Sequence, residues 1–514
     1  MGSSQESELP RVCIVGSGPG ATVVALELAL SGKAHVIVVD LDKCSDSYSQ
    51  IKSPALKADI VGHPFVQEVT RDFVFVGTSN LWHGVLAKLD PEDWTKFDES
   101  AGCEVSKEIL DCYKNLDAYF PRLAKVFKSK NSNVSKLGIL HREFIASRAF
   151  SEKRFLLQRH PLRTRSLLKR FSETCQHLEV IDDAVALRIE SDPLQENIAA
   201  KLIVSSRGEH IRIEADKFIL AAGALETPRI VMQSAKEGFH ALANDNVGCY
   251  LTDHPWGVIG ELVSRGRPFR LSLTDIRGAQ GYGHRIGLRL PESIAAKLNH
   301  CLALKPLFFG GYEQFKSTMK ELVSTQISFR ALVRIFMSYS LVQIFSSIAL
   351  LLSEKSGFGA VVRRALVFAY LEQSTRKESR VTLTDRLDDS GRNIPEIRWV
   401  LNESDLDEAR ALQNYLTSVT NTGSNFTFEK YSLTVNSFSS GSHHAGTMRV
   451  GNSPASGVVD ADLKLFGTNN VYVCDLSIFP NYGNSNPTLT LCAFGLRLSR
   501  HINNQLEKQF SSAY

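Results

Sequence analysis

The chain has 514 residues, with 59 Lys+Arg against 55 Asp+Glu, a formal net charge of +4 and 43% hydrophobic residues. This balance excludes a disordered chain, and it argues against a nucleic-acid binder, which needs a concentrated basic field. Gly 34 and Pro 17 exclude collagen-like and low-complexity chains.

Met1 to Pro10 is polar, and the first apolar run, Val12–Val15, ends after four residues. That is too short for a secretory signal, so a cytoplasmic location is expected. The nine cysteines (Cys13, Cys44, Cys103, Cys112, Cys175, Cys249, Cys301, Cys474 and Cys492) form no CxxC pair. Several sit in apolar runs and read as buried thiols in a reducing compartment. Their spacing points to no metal site.

Residues 11–40 predict a strand, a glycine turn, a helix and a second strand. Val12-Cys-Ile-Val15 is β-rich, and Gly16-Ser17-Gly18-Pro19-Gly20-Ala21 follows at once. Ala21 to Leu30 has helical apolar spacing, and His35-Val-Ile-Val-Val-Asp40 is a second apolar strand. This is G-x-G-x-x-A in a βαβ context, with an acid 24 positions after the first glycine. Gly16 permits the tight turn, Gly18 admits a pyrophosphate, and Ala21 lets the helix lie close to the sheet. The helix N-terminus offers N–H groups to phosphate, and Asp40 can accept from ribose hydroxyls. The motif alone does not choose between FAD and NAD.

Farther along, Phe218–Leu220 reads as a strand before Ala221-Ala222-Gly223-Ala224, and a helix begins near Thr227-Pro228. Arg380–Thr384 and Glu396–Val400 read as strands joined by the turn Asp388–Gly391. The basic stretch Lys153 to Arg170 reads as a solvated basic helix, with an anionic ligand or a membrane surface as the alternative. Ile335 to Leu352 runs without a charge, interrupted by four serines and Gln343. It reads first as a buried or lid helix and second as a peripheral contact with a membrane. Near the end, Ser442-His443-His444-Ala-Gly-Thr447 precedes a strand ending at Asp475. Asn486-Pro487-Thr488 then opens a helix, with Asn486 placed to cap it.

Six segments together resemble the glucose–methanol–choline (GMC) family of FAD-dependent oxidoreductases. They are Gly16–Ala21; Gly77-Thr78-Ser-Asn80-Leu81-Trp82; Phe218–Arg229; Asn246-Val-Gly-Cys-Tyr-Leu-Thr-Asp253-His254-Pro255; His443–Thr447; and Val473–Pro480 leading into Asn486-Pro487-Thr488. They occur in the family's order from residue 11 to residue 501, and the sugar-acting, pyranose-oxidase-like branch is the most similar. The resemblance implies an α/β fold: a Rossmann-like FAD-binding domain with a substrate domain on a mainly antiparallel sheet. It implies FAD-binding segments 8–90, 165–260 and 440–512, a substrate domain 261–439 and a helical insertion or lid at 91–164.

The resemblance also implies roles. His443 aligns with the base that takes a hydroxyl proton while hydride passes to flavin N5, and Asn486 aligns with its partner. Imidazole suits this task at neutral pH. Gly16, Ser17, Gly18, Pro19, Gly20, Ala21, Asp40, Leu41, Gly77, Thr78, Asn80, Leu81, Val185, Ala222, Gly223, Asp475, Pro487 and Thr488 align with the cofactor site. Where pyranose oxidases bond a histidine to the flavin, this chain has Leu81, so FAD is expected to be held non-covalently. His444 is left without a role, and Glu372 reads as an ordinary acid rather than a catalytic one. The expected function is oxidation of an alcohol CH–OH to a carbonyl. The substrate is a sugar-like or other small or amphiphilic alcohol, and oxygen, a quinone or another acceptor takes the electrons. A non-redox lyase and a redox-inactive FAD-binding protein are the alternatives.

Overall fold

The structure is a computed structural model. It describes residues 9–41, 58–63, 85–116, 144–145, 147–158, 164–271, 282–295, 297, 300–306 and 360–512. Its centre is a five-stranded parallel sheet. The strands are β1 (Arg11–Val15), β2 (His35–Val39), β3 (Leu178–Ile181), β4 (Lys217–Leu220) and β5 (Val471–Val473), in the order β5-β4-β1-β2-β3. Both faces of these strands are covered, which is why they read as unbroken apolar runs rather than alternating ones. Val12, Cys13, Ile14 and Val36 to Val38 are fully buried.

Helix α1 (Pro19–Ser31) is apolar on nearly all sides, the pattern of a helix enclosed by the fold. It ends at Gly32, whose φ of 66° permits the left-handed cap that returns an N–H to the Ala29 carbonyl. A long last helix packs on it, and Gly495 in that helix lies against the Gly20 carbonyl.

The second layer is an eight-stranded antiparallel sheet. Along its path lie Phe426–Lys430, Pro255–Ser264, Arg364–Tyr370, Cys301–Pro306, Tyr282–Arg289, Ser151–Gln158 and Val85–Leu86, with Ser439–Ser440 paired to Pro255–Ser264. Helix Glu403–Asn421 covers one face with Leu406, Ala409, Leu412 and Leu416. Asn402 starts this helix: its side chain accepts from Ser404 N, and Asp405 accepts from Asn402 N. The chain is therefore an α/β protein with a Rossmann-like parallel layer and a mainly antiparallel second layer.

Several elements differ from the sequence expectation. Ser151–Gln158 is a strand of the large sheet, although it falls in a segment expected to be helical. Lys153, expected on a solvated helix, is 5% exposed. Its charge is tolerated there because three oxygens surround it, as described below. The helix nearby is confined to Thr164–Thr174. Val85–Leu86 and Pro255–Ser264, expected with the nucleotide-binding segments, pair in the antiparallel sheet. The expected strands near 380 and 396 run Arg380–Leu387 and Asn393–Trp399 and form a hairpin. They join Asp59–Gly62 in a separate three-stranded sheet. The turn between them is held by Asp388 Oδ1, which accepts from the backbone N–H of Ser390 and Arg392. No helix among the described residues is long and apolar enough to cross a membrane, and the segment 335–352 lies outside them.

Candidate functional site

The carboxyl ends of β1, β4 and β5 converge, the usual place for a ligand in an open parallel sheet. β1 runs into the Gly16–Ala21 turn. Gly16 has φ of 100°, and a Cβ there would lie 2.5 Å from the Ala221 carbonyl oxygen. Gly20 is pressed on the Cys474 carbonyl, where a Cβ would lie at 2.7 Å. Both glycines exist for close main-chain packing. Gly18 differs: a Cβ there would meet nothing within 4 Å. It begins α1, whose first turn is capped by no side chain. Open space above a helix N-terminus fits a pyrophosphate.

The neighbouring groups fit the rest of a dinucleotide. Asp40 follows β2, and its Oδ2 accepts from Ser17 Oγ at 2.6 Å. The Asp40 carbonyl accepts from Ala184 N at 3.0 Å, which sets Val185 beside it. Leu41 is partly exposed just after Asp40. Ala222 and Gly223 follow β4. Gly223 has φ of 88°, and open space lies where a Cβ would be. Its N–H donates to Asp475 Oδ2 at 2.9 Å, and Thr227 Oγ1 donates to the same oxygen at 2.5 Å. Burial holds the Asp475 carboxyl above its ordinary range against these hydrogen bonds.

The chain segment carrying the histidines adjoins this turn. Thr447 Oγ1 donates to the Ala224 carbonyl at 2.6 Å, and Met448 N donates to Ser477 O at 2.9 Å. Four residues before Thr447, His443 Nε2 lies 3.3 Å from Asn486 Nδ2. An amide Nδ2 donates, so Nε2 is the lone-pair nitrogen in this arrangement. Tyr482 Oη donates to the His443 carbonyl at 2.6 Å, and the His254 ring meets the His443 ring edge-on at 5.3 Å.

His443 keeps part of its surface open while lying deep among protein atoms. Burial, with His254 and His444 alongside, pushes its imidazole down to about 3, against the opposing pull of Asp253. The ring is therefore neutral at neutral pH, with no proton on the nitrogen that faces Asn486.

Asp253 sits beneath this pair, 2% exposed. Its Oδ1 accepts from His254 N at 2.6 Å and from His443 N at 2.9 Å. Its Oδ2 accepts from Ser440 Oγ and lies 3.2 Å from His444 Nδ1. Burial alone would raise this carboxyl. The hydrogen bonds from His444 and Ser440 hold it well below the ordinary range instead.

The Asn486 loop has its own floor. Lys153 Nζ donates to Ser485 Oγ at 2.8 Å, to Asp90 Oδ2 at 2.7 Å and to the Lys88 carbonyl at 3.0 Å. His254 Nε2 lies 3.0 Å from the Ser485 carbonyl. Gly483 packs directly on the carboxyl of Asp93, in helix α2 (Pro91–Ala101).

The structure thus brings His443 and Asn486 together and sets Gly16–Ala21, Asp40, Leu41, Val185, Ala222, Gly223 and Asp475 along the strand ends. Pro487 is buried, and helix α3 (Thr488–Ser512) begins one residue later than expected. The Asn486 Nδ2, two residues before it, faces His443. Glu372 pairs through both oxygens with Lys96 Nζ at 2.8 Å, and its N–H donates to His300 Nδ1. Gly77, Thr78, Asn80 and Leu81 lie outside the described residues, as does Trp82.

Sequence reasoning gave no role to Asp253, His254, Tyr482 or Lys153. A signal existed for the first two: an acid and a histidine side by side at the end of an apolar run and before Pro255. Nothing local marks Lys153, whose partners are 63 and 332 residues away.

Residues 375–495 match the model of the C-terminal part of the family described as GMC oxidoreductase. The chain is 26% identical over 338 residues to 6'''-hydroxyparomomycin C oxidase of Streptomyces lividus, covering 62% of this chain and 51% of that protein. Over 66 residues it is 42% identical to paromamine 6'-oxidase of Streptomyces fradiae, covering 13% and 12% of the two chains. The matched stretch thus spans about half the length of the first relative and far less of the second. Among solved structures, pyridoxine 4-oxidase from Mesorbium loti superposes with a TM-score of 0.59 at 16% identity, covering 96% of this chain and 99% of that one. A formate oxidase of Aspergillus oryzae superposes with a TM-score of 0.57 at 13% identity, covering 99% and 100%. The C-terminal match lies on the histidine segment, the Asp475 strand end and the Asn486 loop, within a fold shared nearly end to end with the solved oxidases, so residues 375–495 are similar to the GMC oxidoreductases.

Proposed function

We propose that this protein oxidises an alcohol CH–OH to a carbonyl, with FAD bound along the Gly16–Ala21 turn. The observation that carries this reading is the neutral His443 facing the Asn486 amide at 3.3 Å, on a segment tied to the strand ends beside that turn. The nucleotide-binding part would comprise 8–90, 165–260 and 440–512, apart from Val85–Leu86 and the strand from Pro255, which pair in the large sheet, and the substrate part 261–439, whose sheet takes Ser151–Gln158 from the segment 91–164.

Gly18, Gly20 and Ala21, with α1, would hold the pyrophosphate, and Asp40 and Val185 would hold the adenosine end. Ala222, Gly223, Asp475, Pro487 and Thr488 would border the ring system, and Gly77, Thr78, Asn80 and Leu81 are assigned to the same site by the family resemblance alone. Leu81 has no nucleophilic atom, so the cofactor is held without a covalent bond. Bound there, FAD supplies a two-electron acceptor for hydride.

The chain's own residues manage the proton and the oxygen. Asn486 Nδ2 donates a hydrogen bond to the alcohol oxygen and fixes its orientation. His443 Nε2 takes the hydroxyl proton as the C–H bond yields its electron pair and the C=O bond forms. Because its imidazole stays neutral down to about pH 3, His443 starts each turnover unprotonated throughout the physiological range. The names of the two curated relatives favour a hydroxyl on a sugar-like molecule, and oxygen or a quinone completes the cycle.

Anaerobic mixing with paromamine, pyridoxine, benzyl alcohol and 1-octanol, followed by absorbance, tests the reading. One of these is expected to bleach the flavin. A flavin that stays oxidised while substrate is cleaved would instead mark a lyase. His443→Ala is expected to lower the bleaching rate about 10³-fold while retaining yellow FAD. Over pH 5 to 8 the unsubstituted enzyme should show a flat kcat/KM with respect to His443. Acid precipitation should leave the flavin in the supernatant.

A further inference from the structure

We propose that Asp253 is the positioning residue for His443. Its carboxylate clamps the turn at 440–444, so that the imidazole is presented to Asn486 in one fixed orientation. This rests on the reading of His443 as the base, but the clamp itself is defined by geometry.

The turn does not hold itself. Ser442 sits at φ of 63°, a left-handed conformation that a residue with a Cβ avoids. Gly441 lies on the His254 carbonyl, where a Cβ would come within 2.8 Å. Asp253 spans the turn from both ends. Oδ1 takes the His443 N–H, and Oδ2 takes the Ser440 hydroxyl. Ser440 Oγ in turn accepts from Ser442 N at 3.0 Å. His444 Nδ1 closes the far side at 3.2 Å from Oδ2. On the near side Tyr482 Oη donates to the His443 carbonyl. The backbone of His443 is thus held at its N–H by Asp253 and at its carbonyl by Tyr482, and its side chain meets Asn486.

Only a carboxylate, with two acceptor oxygens, can satisfy two N–H groups, a hydroxyl and an imidazole in this arrangement. With its side chain 1% exposed, Asp253 is too deep to meet a substrate. It acts through His443.

The test uses the full-length, FAD-loaded protein and two readouts. The first is hydrogen exchange over 440–446, which needs no substrate. The second is the anaerobic bleaching rate with whichever of the four alcohols above reacts fastest. Asp253→Ala is expected to speed exchange across 440–446 at least ~10-fold, and to lower the bleaching rate ~10²-fold at unchanged KM. Asp253→Asn keeps the Oδ1 acceptor and should recover at least ~10-fold of that rate.

Unchanged exchange and bleaching in Asp253→Ala would overturn the proposal. So would an Asn variant as slow as the Ala variant, because charge and not position would then be responsible. If Asp253→Ala fails to take up FAD, Ser440→Ala removes two bonds at one end of the clamp, the one to Asp253 Oδ2 and the one from Ser442 N. It must loosen the same peptide, and unchanged exchange there also overturns the proposal. Normal turnover in His443→Ala would refute the base assignment, while the exchange result would still decide the clamp.

Discussion

The two sides of the site are built by opposite means. Around Gly16–Ala21 the working groups are main-chain N–H groups and empty space, and side chains there serve packing. Around His443 the working groups are side chains, held by a buried carboxylate, a tyrosine, a lysine and two further histidines. The turn therefore depends on what is missing from a residue, and the histidine side on which atoms a residue carries. Substitutions that are fatal on one side should be mild on the other.

The glycines give the sharpest form of this comparison, and the largest expected effect. At Gly16 a Cβ would lie 2.5 Å from a backbone oxygen, at a φ of 100°. Gly16→Val should cost about 4 kcal/mol or more and give little folded protein, as read by denaturant unfolding. Gly18 has φ of −59° and open space around its missing Cβ. Gly18→Val should fold with an unfolding midpoint close to that of the FAD-free parent and lose about 10²-fold in FAD affinity, measured by flavin fluorescence on titration. If Gly18→Val binds FAD normally, the open space is not a phosphate site. If Gly16→Val folds normally, the packing argument for the turn is wrong.

The same contrast explains what could be read in advance. The turn was legible because its physics is local: a tight turn, a helix start and an acid lie within one βαβ unit. The Arg380–Asn393 hairpin was legible for the same reason, with Asp388 and Gly391 supplying turn chemistry within a few residues. His443 and Asn486 were reached through family resemblance, not through spacing. Asp253 was not reached, because it lies 190 residues from the N–H it holds and its neighbouring residues name no partner. Lys153 was misread for a related reason. In a run of basic residues, a lysine looks solvated unless its distant carboxylate is known. For Asn486 the helix start was the local signal, and its pairing with a histidine 43 residues away came from the resemblance.

The smallest expected effect concerns the pH cost of a side-chain-built site. Asp93 lies under Gly483, at the base of the Asn486 loop, and accepts the Asp90 N–H at the start of α2. Burial pushes its carboxyl up to about 6, with Lys153 opposing and Glu372 and Asp90 adding to the rise. The folded state thus holds a proton that the unfolded chain releases nearer pH 4. Stability from this group is fully present below pH 4 and is lost as pH rises through about 6. Asp93→Asn has no charge to bury, and its Oδ1 can still accept the Asp90 N–H. It should therefore match the parent near pH 4 and exceed it by on the order of 2 kcal/mol at pH 7.5. Urea unfolding of both proteins at the two pH values measures the difference. Parallel pH slopes would mean that Asp93 is charged in the fold. The Lys153–Asp90 pair would then have to offset two buried carboxylates, a heavier electrostatic load than anything on the glycine side.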